Sequence, residues 1–189
     1  MAALENCAGA CPPTGHRGRV SQLYEVFNLT ADHSQPLWKR KRKRLDASAY
    51  AQPGAVCSLT AAVKDHLPVF ANAAVAATAV DVLRAHAAKT GTPVYAYCVM
   101  PDHIHLVVGP SSSCDITTFV GQYKNLAQRA AWSCGVEGSF WQKSFWDHFL
   151  RIEEGLQEIV DYVLYNPVRR GLVEEWRDYP FCGSLVFEL

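Results

Sequence analysis

Apolar and polar positions alternate legibly from about residue 53 onward. "NAAVAATAVDVLRAHAAKTG" (72–91) is Ala-rich, with Asn72 placed to cap its start and Gly91 to stop it, so it predicts a helix. "GAVCSLTAAV" (54–63) predicts a first strand. "PVYAYCVM" (93–100) predicts a second from its β-branched and aromatic content, and "HIHLVV" (103–108) continues as a third after the punctuating "PD". "ITTFVGQYKNLAQRAAW" predicts a helix capped by Asp115 or Thr117. The aromatic run "FWQKSFWDHFLRI" (140–152) predicts a strand, and "EEGLQEIVDYVLYN" (153–166) a helix that Pro167 stops. The remainder, through "DYPFCGS", reads as a tail packed by aromatics. The order β–α–β–β–α–β–α predicts an antiparallel sheet with helices on one side, an α+β domain of ferredoxin-like type. Residues 1–50 carry Pro and Gly punctuation without a period, so they predict a loosely ordered N-terminal segment before a domain at 51–189.

Composition refines this picture only in places. A chain of 189 residues that is 49% hydrophobic can bury one core. Eighteen basic residues balance eighteen acidic ones, so net charge points to no polyanionic partner. Their distribution does: Lys39, Arg40, Lys41, Arg42, Lys43 and Arg44 form one block suited to phosphate contacts. The seven cysteines are odd in number and include no Cys-x-x-Cys, which argues against a disulfide framework and against a four-cysteine zinc site. No secretory signal pattern and no bilayer-length apolar run is visible. The expectation is a reduced, soluble, cytoplasmic protein with no membrane partner.

The candidate chemistry begins at "VMPDHIHLVV" (99–108). In a strand, His103 and His105 project from one face about 6.6 Å apart at the backbone, while Ile104 turns to the core. Two readings stay open: ordinary polar residues on a solvated face, or two ligands converging on one ion. A site of two ligands is incomplete. In "DYVLYNP" (161–167), Tyr162 and Asn166 lie four apart on the predicted helix, where an Asn oxygen can ligate a hard cation and a nearby phenol can act as nucleophile. Ionising a phenol at pH 7 costs about 4 kcal/mol, which a nearby cation or base would offset. The competing reading is a core-edge tyrosine and a residue that ends a helix. Tyr123 and Tyr165 are weaker candidates than Tyr162.

Together, "YCVMPDHIHLVV", "FWQKSFWDHFLRIEEGLQEIVDYVLYNPVRRGLV" and "DYPFCGS" resemble, in order and spacing, the single-tyrosine HUH transposases, specifically the REP-associated tyrosine transposase group. The resemblance covers about residues 55–185. It implies the ferredoxin-like fold of HUH endonucleases. It also implies that His103, His105 and Asn166 hold a divalent ion, Mg2+ or Mn2+, and that Tyr162 is the nucleophile. The implied reaction is strand transfer on single-stranded or hairpin DNA through a covalent 5′-phosphotyrosine, by a bacterial, nucleoid-associated protein that is a monomer in preference to a dimer. Asp147 and His148 become accessory candidates. Lys124, Arg169 and Arg170 join the basic block as candidate DNA contacts. The first fifty residues depart from the group's usual short lead into the first strand. Alternatives are a catalytically silent hairpin-binding protein, a mobile insertion-sequence transposase of the same superfamily and, more distantly, a hydrolase of small phosphate esters.

Overall fold

The computed structural model describes residues 46–150 and 155–189. The basic block Lys39–Arg44 lies outside them. Five strands form one antiparallel sheet: β1 (Cys57–Ala62), β2 (Val94–Met100), β3 (His103–Val108), β4 (Trp146–Phe149) and β5 (Cys182–Gly183). Their order is β4-β1-β3-β2-β5. With helices α1 (Ala73–Thr90) between β1 and β2 and α2 (Ile116–Trp132) between β3 and β4, the first four strands are the expected ferredoxin-like βαββαβ unit. The short β5 extends that unit beyond β2, a strand the tail's composition did not announce.

Local chemistry sets the helix ends. Asn72 accepts the Ala74 N–H and Asp115 accepts the Thr118 N–H, each satisfying a donor that the first turn cannot satisfy internally. Gly91 ends α1 in the left-handed conformation (φ 64°), and its N–H bonds the Ala87 carbonyl.

One face of the sheet presents Cys57, Leu59, Ala61, Tyr97, Val99, Ile104, Leu106 and Val108 to α1 and α2, and this is the main core. The packed region begins earlier than the expected boundary. Residues Ala47–Ala51 form a short 3-10 helix, and Tyr50 is buried with its ring edge-on to Phe149.

The other face differs from expectation. A third helix, α3 (Leu156–Leu164), was expected on the same side as the others. Instead it packs across β2 and β3 on the opposite face, where Val160, Val163 and Leu164 meet Ala96, Cys98, Met100 and Val107. Its apolar stripe recurs at Leu156, Ile159, Val160, Val163 and Leu164, the spacing of one helical face. That stripe says the helix is half buried but not which side of the sheet buries it.

Two boundaries also move. Of the strand expected at 140–152, only Trp146–Phe149 pairs with β1, joined by an isolated bridge between Trp141 and Val63. Between the bridge and β4, the Gln142 N–H still bonds the Ala62 carbonyl, and the Gln142 and Ser144 carbonyls receive the Lys124 ammonium. Pro167 does not stop the helix at Asn166. α3 ends at Leu164, and Asn166–Arg169 begins a separate turn, α4, with Pro in its first turn. Proline is tolerated there because a first-turn N–H has no intrahelical partner.

Candidate active site

Cross-strand register decides which side chains share the histidine face. His105 is opposite Thr60 on β1 and Cys98 on β2, and His103 is opposite Ala62 and Met100. Trp146 is opposite Thr60, and His148 is opposite Ser58, so β4 contributes to the same face. The β2 side lies beneath α3. Over β1 and β4 no helix packs among the described residues, and Trp146 and His148 are exposed there.

The two imidazoles converge. Their Nε2 atoms are 3.0 Å apart, with the rings nearly perpendicular at 89°. Each outer nitrogen is held by a different element. Asp102 Oδ1 accepts from His103 Nδ1 at 2.6 Å, and Thr60 Oγ1 is 2.9 Å from His105 Nδ1. His66 Nδ1 approaches the second Asp102 oxygen at 2.9 Å. Burial alone would raise the Asp102 carboxyl, but its bonds to His103 and His66 outweigh that and hold it below its usual value. Burial, seconded by the neighbouring His103 and by Arg169 and Arg170, pushes His105 down to about 3. His105 is therefore neutral at pH 7, with a nitrogen lone pair to offer.

The tautomers follow. His103 donates its Nδ1–H to Asp102, and in the neutral ring this leaves a lone pair on Nε2. Either His105 donates Nε2–H to that lone pair, or it turns its proton to Thr60 and two lone pairs face one another with a cation between them. Two ligands about 2.1 Å from an ion, set at right angles, are about 3 Å apart. Histidines oriented by a carboxylate or hydroxyl on the far nitrogen are also the usual state of metal ligands. The pair thus fits a divalent ion. Among the described residues no cluster of three His, Cys, Asp or Glu side chains is placed to hold one.

Tyr162 and Asn166 lie close in sequence but in different surroundings. Tyr162 is 56% exposed on α3, whereas Asn166 is buried at the break between α3 and α4. The Asn166 amide Nδ2 donates to the carbonyls of Tyr162 and Val163, each at 3.2 Å. Pro167 lacks the N–H that would have bonded the Val163 carbonyl in a continuous helix, and Asn166 replaces that bond. Its Oδ1 is the atom a cation would use. Arg169 also donates to the Tyr162 carbonyl, and its guanidinium carbon lies 4.0 Å from the centre of the Tyr162 ring. The charge of the same arginine also helps to lower His105.

The other tyrosines separate clearly. Tyr123 is wholly buried, donates to the Ala79 carbonyl at 3.2 Å, and has its phenol pushed up by desolvation. Tyr165 is exposed at the end of α3.

Several expected contacts have other surroundings. Lys124 is buried rather than laid along a strand path. Its ammonium donates to the Gln142 and Ser144 carbonyls at 2.6 and 3.2 Å, beside a cavity of about 470 Å3 between α2 and residues 139–145. Asp147 turns to the core side, where Tyr50 Oη donates to it at 2.7 Å, while His148 stays on the histidine face. Arg169 and Arg170 are exposed.

Three residues at the site were missed by sequence reasoning. Asp102 was read only as punctuation, though its place next to His103 was a signal. Thr60 has no local signal, because only the β1–β3 register brings it to His105. His66 has none either.

Among the described residues no helix is long and apolar enough to cross a membrane. The family model described as "Transposase IS200 like" matches residues 56–163, more than half of the chain. The putative REP-associated tyrosine transposase of Haemophilus influenzae is 31% identical over 99 residues, 47% of this chain and 56% of that protein. The REP-associated tyrosine transposase of Escherichia coli K12 is 30% identical over 89 residues, 47% of this chain and 52% of that protein. The chain therefore spans about half the length of the curated relatives it matches. In three dimensions it is similar to a REP-associated tyrosine transposase solved bound to a REP hairpin, with a TM-score of 0.61 and 22% identity over 76% of this chain and 82% of the other. The sheet order, the paired histidines and the family match over strands, helices and tyrosine lead to one statement: the chain belongs to the IS200-like transposase family.

Proposed function

We propose that the protein is a metal-dependent strand transferase acting on single-stranded DNA beside a hairpin, through a covalent 5′-phosphotyrosine. The observation that carries this reading is the convergence of the His103 and His105 Nε2 atoms, fixed from opposite sides by Asp102 and Thr60. The likeness to REP-associated tyrosine transposases, one of them solved bound to a REP hairpin, supports hairpin DNA as the substrate class.

In this reading His103, His105 and the Asn166 oxygen hold Mg2+ or Mn2+. Imidazole suits Mn2+ at least as well as Mg2+. When bound, such an ion polarises a phosphate oxygen. The rest of the chemistry belongs to the chain. Tyr162 loses its phenolic proton to solvent or a base and attacks phosphorus. The new bond is Tyr Oη–P, the bond broken is P–O3′, and the departing 3′-oxygen takes up a proton. In the second step a 3′-hydroxyl attacks the same phosphorus, displaces the tyrosine, and returns the proton balance to its start. No nucleotide cofactor is consumed, because one phosphodiester-like bond replaces another. Arg169, stacked on the Tyr162 ring, limits the ring's rotation. Arg170 and the block Lys39–Arg44 supply phosphate contacts that weaken with added salt.

The test is incubation with a single-stranded hairpin oligonucleotide and Mn2+. The wild-type protein forms a covalent protein–DNA adduct, and Tyr162→Phe does not. His103→Ala loses cleavage while hairpin binding survives. Tight binding with no adduct under any divalent metal would leave a hairpin-binding protein instead. An adduct that persists in both variants would overturn the assignment.

A further inference from the structure

The segment after β1 is bent in an unusual way. Asp65 and His66 are consecutive non-glycine residues with left-handed backbone, at φ 54° and 52°. L-residues seldom adopt this conformation, and two in a row persist only where surrounding contacts enforce them. Those contacts run to the β2–β3 turn. The Val63 N–H bonds the Asp102 carbonyl at 2.8 Å, and the Phe70 N–H bonds the Pro101 carbonyl at 2.9 Å. Between these two ties the bend delivers the His66 ring to Asp102.

The His66 side chain is 67% exposed, whereas that of Asp102 is 12% exposed, so the ring reaches inward to a shielded carboxylate. It meets Oδ2 at 2.9 Å, while Oδ1 is committed to His103 Nδ1. With both oxygens engaged, the Asp102 carboxylate cannot rotate away from His103. His103 then keeps its proton on Nδ1 and its lone pair on Nε2, facing His105.

On the reading proposed above, we infer that His66 is a positioning residue for the metal site, acting through Asp102 to fix the orientation and tautomer of His103. Its ring nitrogen bonds Asp102, so it acts on the site through that carboxylate. Its strained backbone is the cost of spanning from the end of β1 to the carboxylate. Removing the ring frees Oδ2 and lets Asp102 sample rotamers that leave His103 unsupported. Supporting partners of this kind change metal affinity about 10- to 100-fold when they contact a ligand directly. His66 acts one residue further out, so a change of about threefold to tenfold is expected.

Direct Mn2+ binding without DNA, followed by calorimetry or by loss of the free Mn2+ resonance signal, reads this out. His66→Ala weakens Mn2+ about threefold to tenfold, and its adduct formation recovers at saturating Mn2+. Asn carries its amide nitrogen at the same branch position as His Nδ1 and tolerates left-handed backbone, so His66→Asn restores wild-type affinity. His66→Gly removes the ring and the strain together. It shows the same weakened binding even if His66→Ala folds poorly. If His66→Ala and His66→Gly bind Mn2+ as tightly as wild type while His103→Ala does not, the positioning role is overturned and the metal site stands. If His103→Ala also binds unchanged, the metal reading itself fails.

Discussion

At the residue scale, Asn166 carries two demands at once. Its nitrogen closes the Val163 and Tyr162 carbonyls at the end of α3, and in the proposed reaction its oxygen faces an ion. Asn166→Asp separates the two. The aspartate keeps an oxygen but loses the donor: the Tyr162 carbonyl retains Arg169, the Val163 carbonyl loses its side-chain donor, and both then face a negative carboxylate. Unfolding free energy should fall by about 1–3 kcal/mol in denaturant titration. Mn2+ affinity should hold or rise, because a charged oxygen replaces a neutral one. Loss of stability together with loss of metal binding would mean that Asn166 only closes the helix. His105 shows a related economy. Burial keeps it neutral at pH 7, which is the form a cation needs.

At the element scale, helix boundaries were legible where the chemistry is local. Asn72, Gly91 and Asp115 announce their roles by residue type, and α1 and α2 start and stop where those residues sit. Gly91 is the cleanest test. A Cβ there meets nothing within 4 Å, so Gly91→Ala has a purely backbone cost. About 1–2 kcal/mol should be lost, visible as a fall of several degrees in the calorimetric melting midpoint. What local chemistry could not announce was long-range. The aromatic run at 140–152 looked like one strand, yet residues 140–145 are drawn toward Lys124, and the Trp141 indole donates to the Lys124 carbonyl at 2.8 Å. The amphipathic stripe of α3 was visible, but the side of the sheet it covers depends on β2 and β3 pairing, which no window of α3 contains. The same limit hid Thr60 and His66, whose partners lie 45 and 36 residues away. His103 and His105 were legible as a pair because a strand's two-residue period brings them to one face by itself.

At the scale of the whole molecule, the sheet has two unlike faces. The main core fills one with α1 and α2. On the other, α3 covers β2 and meets β3, and among the described residues no helix lies over β1 and β4. The histidine pair stands at the border between the covered and uncovered halves. That half-cover sets a width. From β3 across β1 to β4 is two interstrand spacings, about 10 Å. The major groove alone of a B-form duplex is about 12 Å wide. On the proposed function, the shelf beside His105 would take one extended strand lying flat, and the exposed Trp146 would offer a surface on which a base can stack. A complementary strand annealed across the phosphate to be cut should abolish the covalent adduct, while pairing confined to the hairpin stem leaves it intact. Gel analysis of oligonucleotides that differ only in the reach of the complementary strand measures this, and equal adduct from both would refute it. In that reading the helix that carries Tyr162 would also act as a kerb, and by stopping short of β1 it would turn the question of which DNA is cut into one of how many strands can lie side by side.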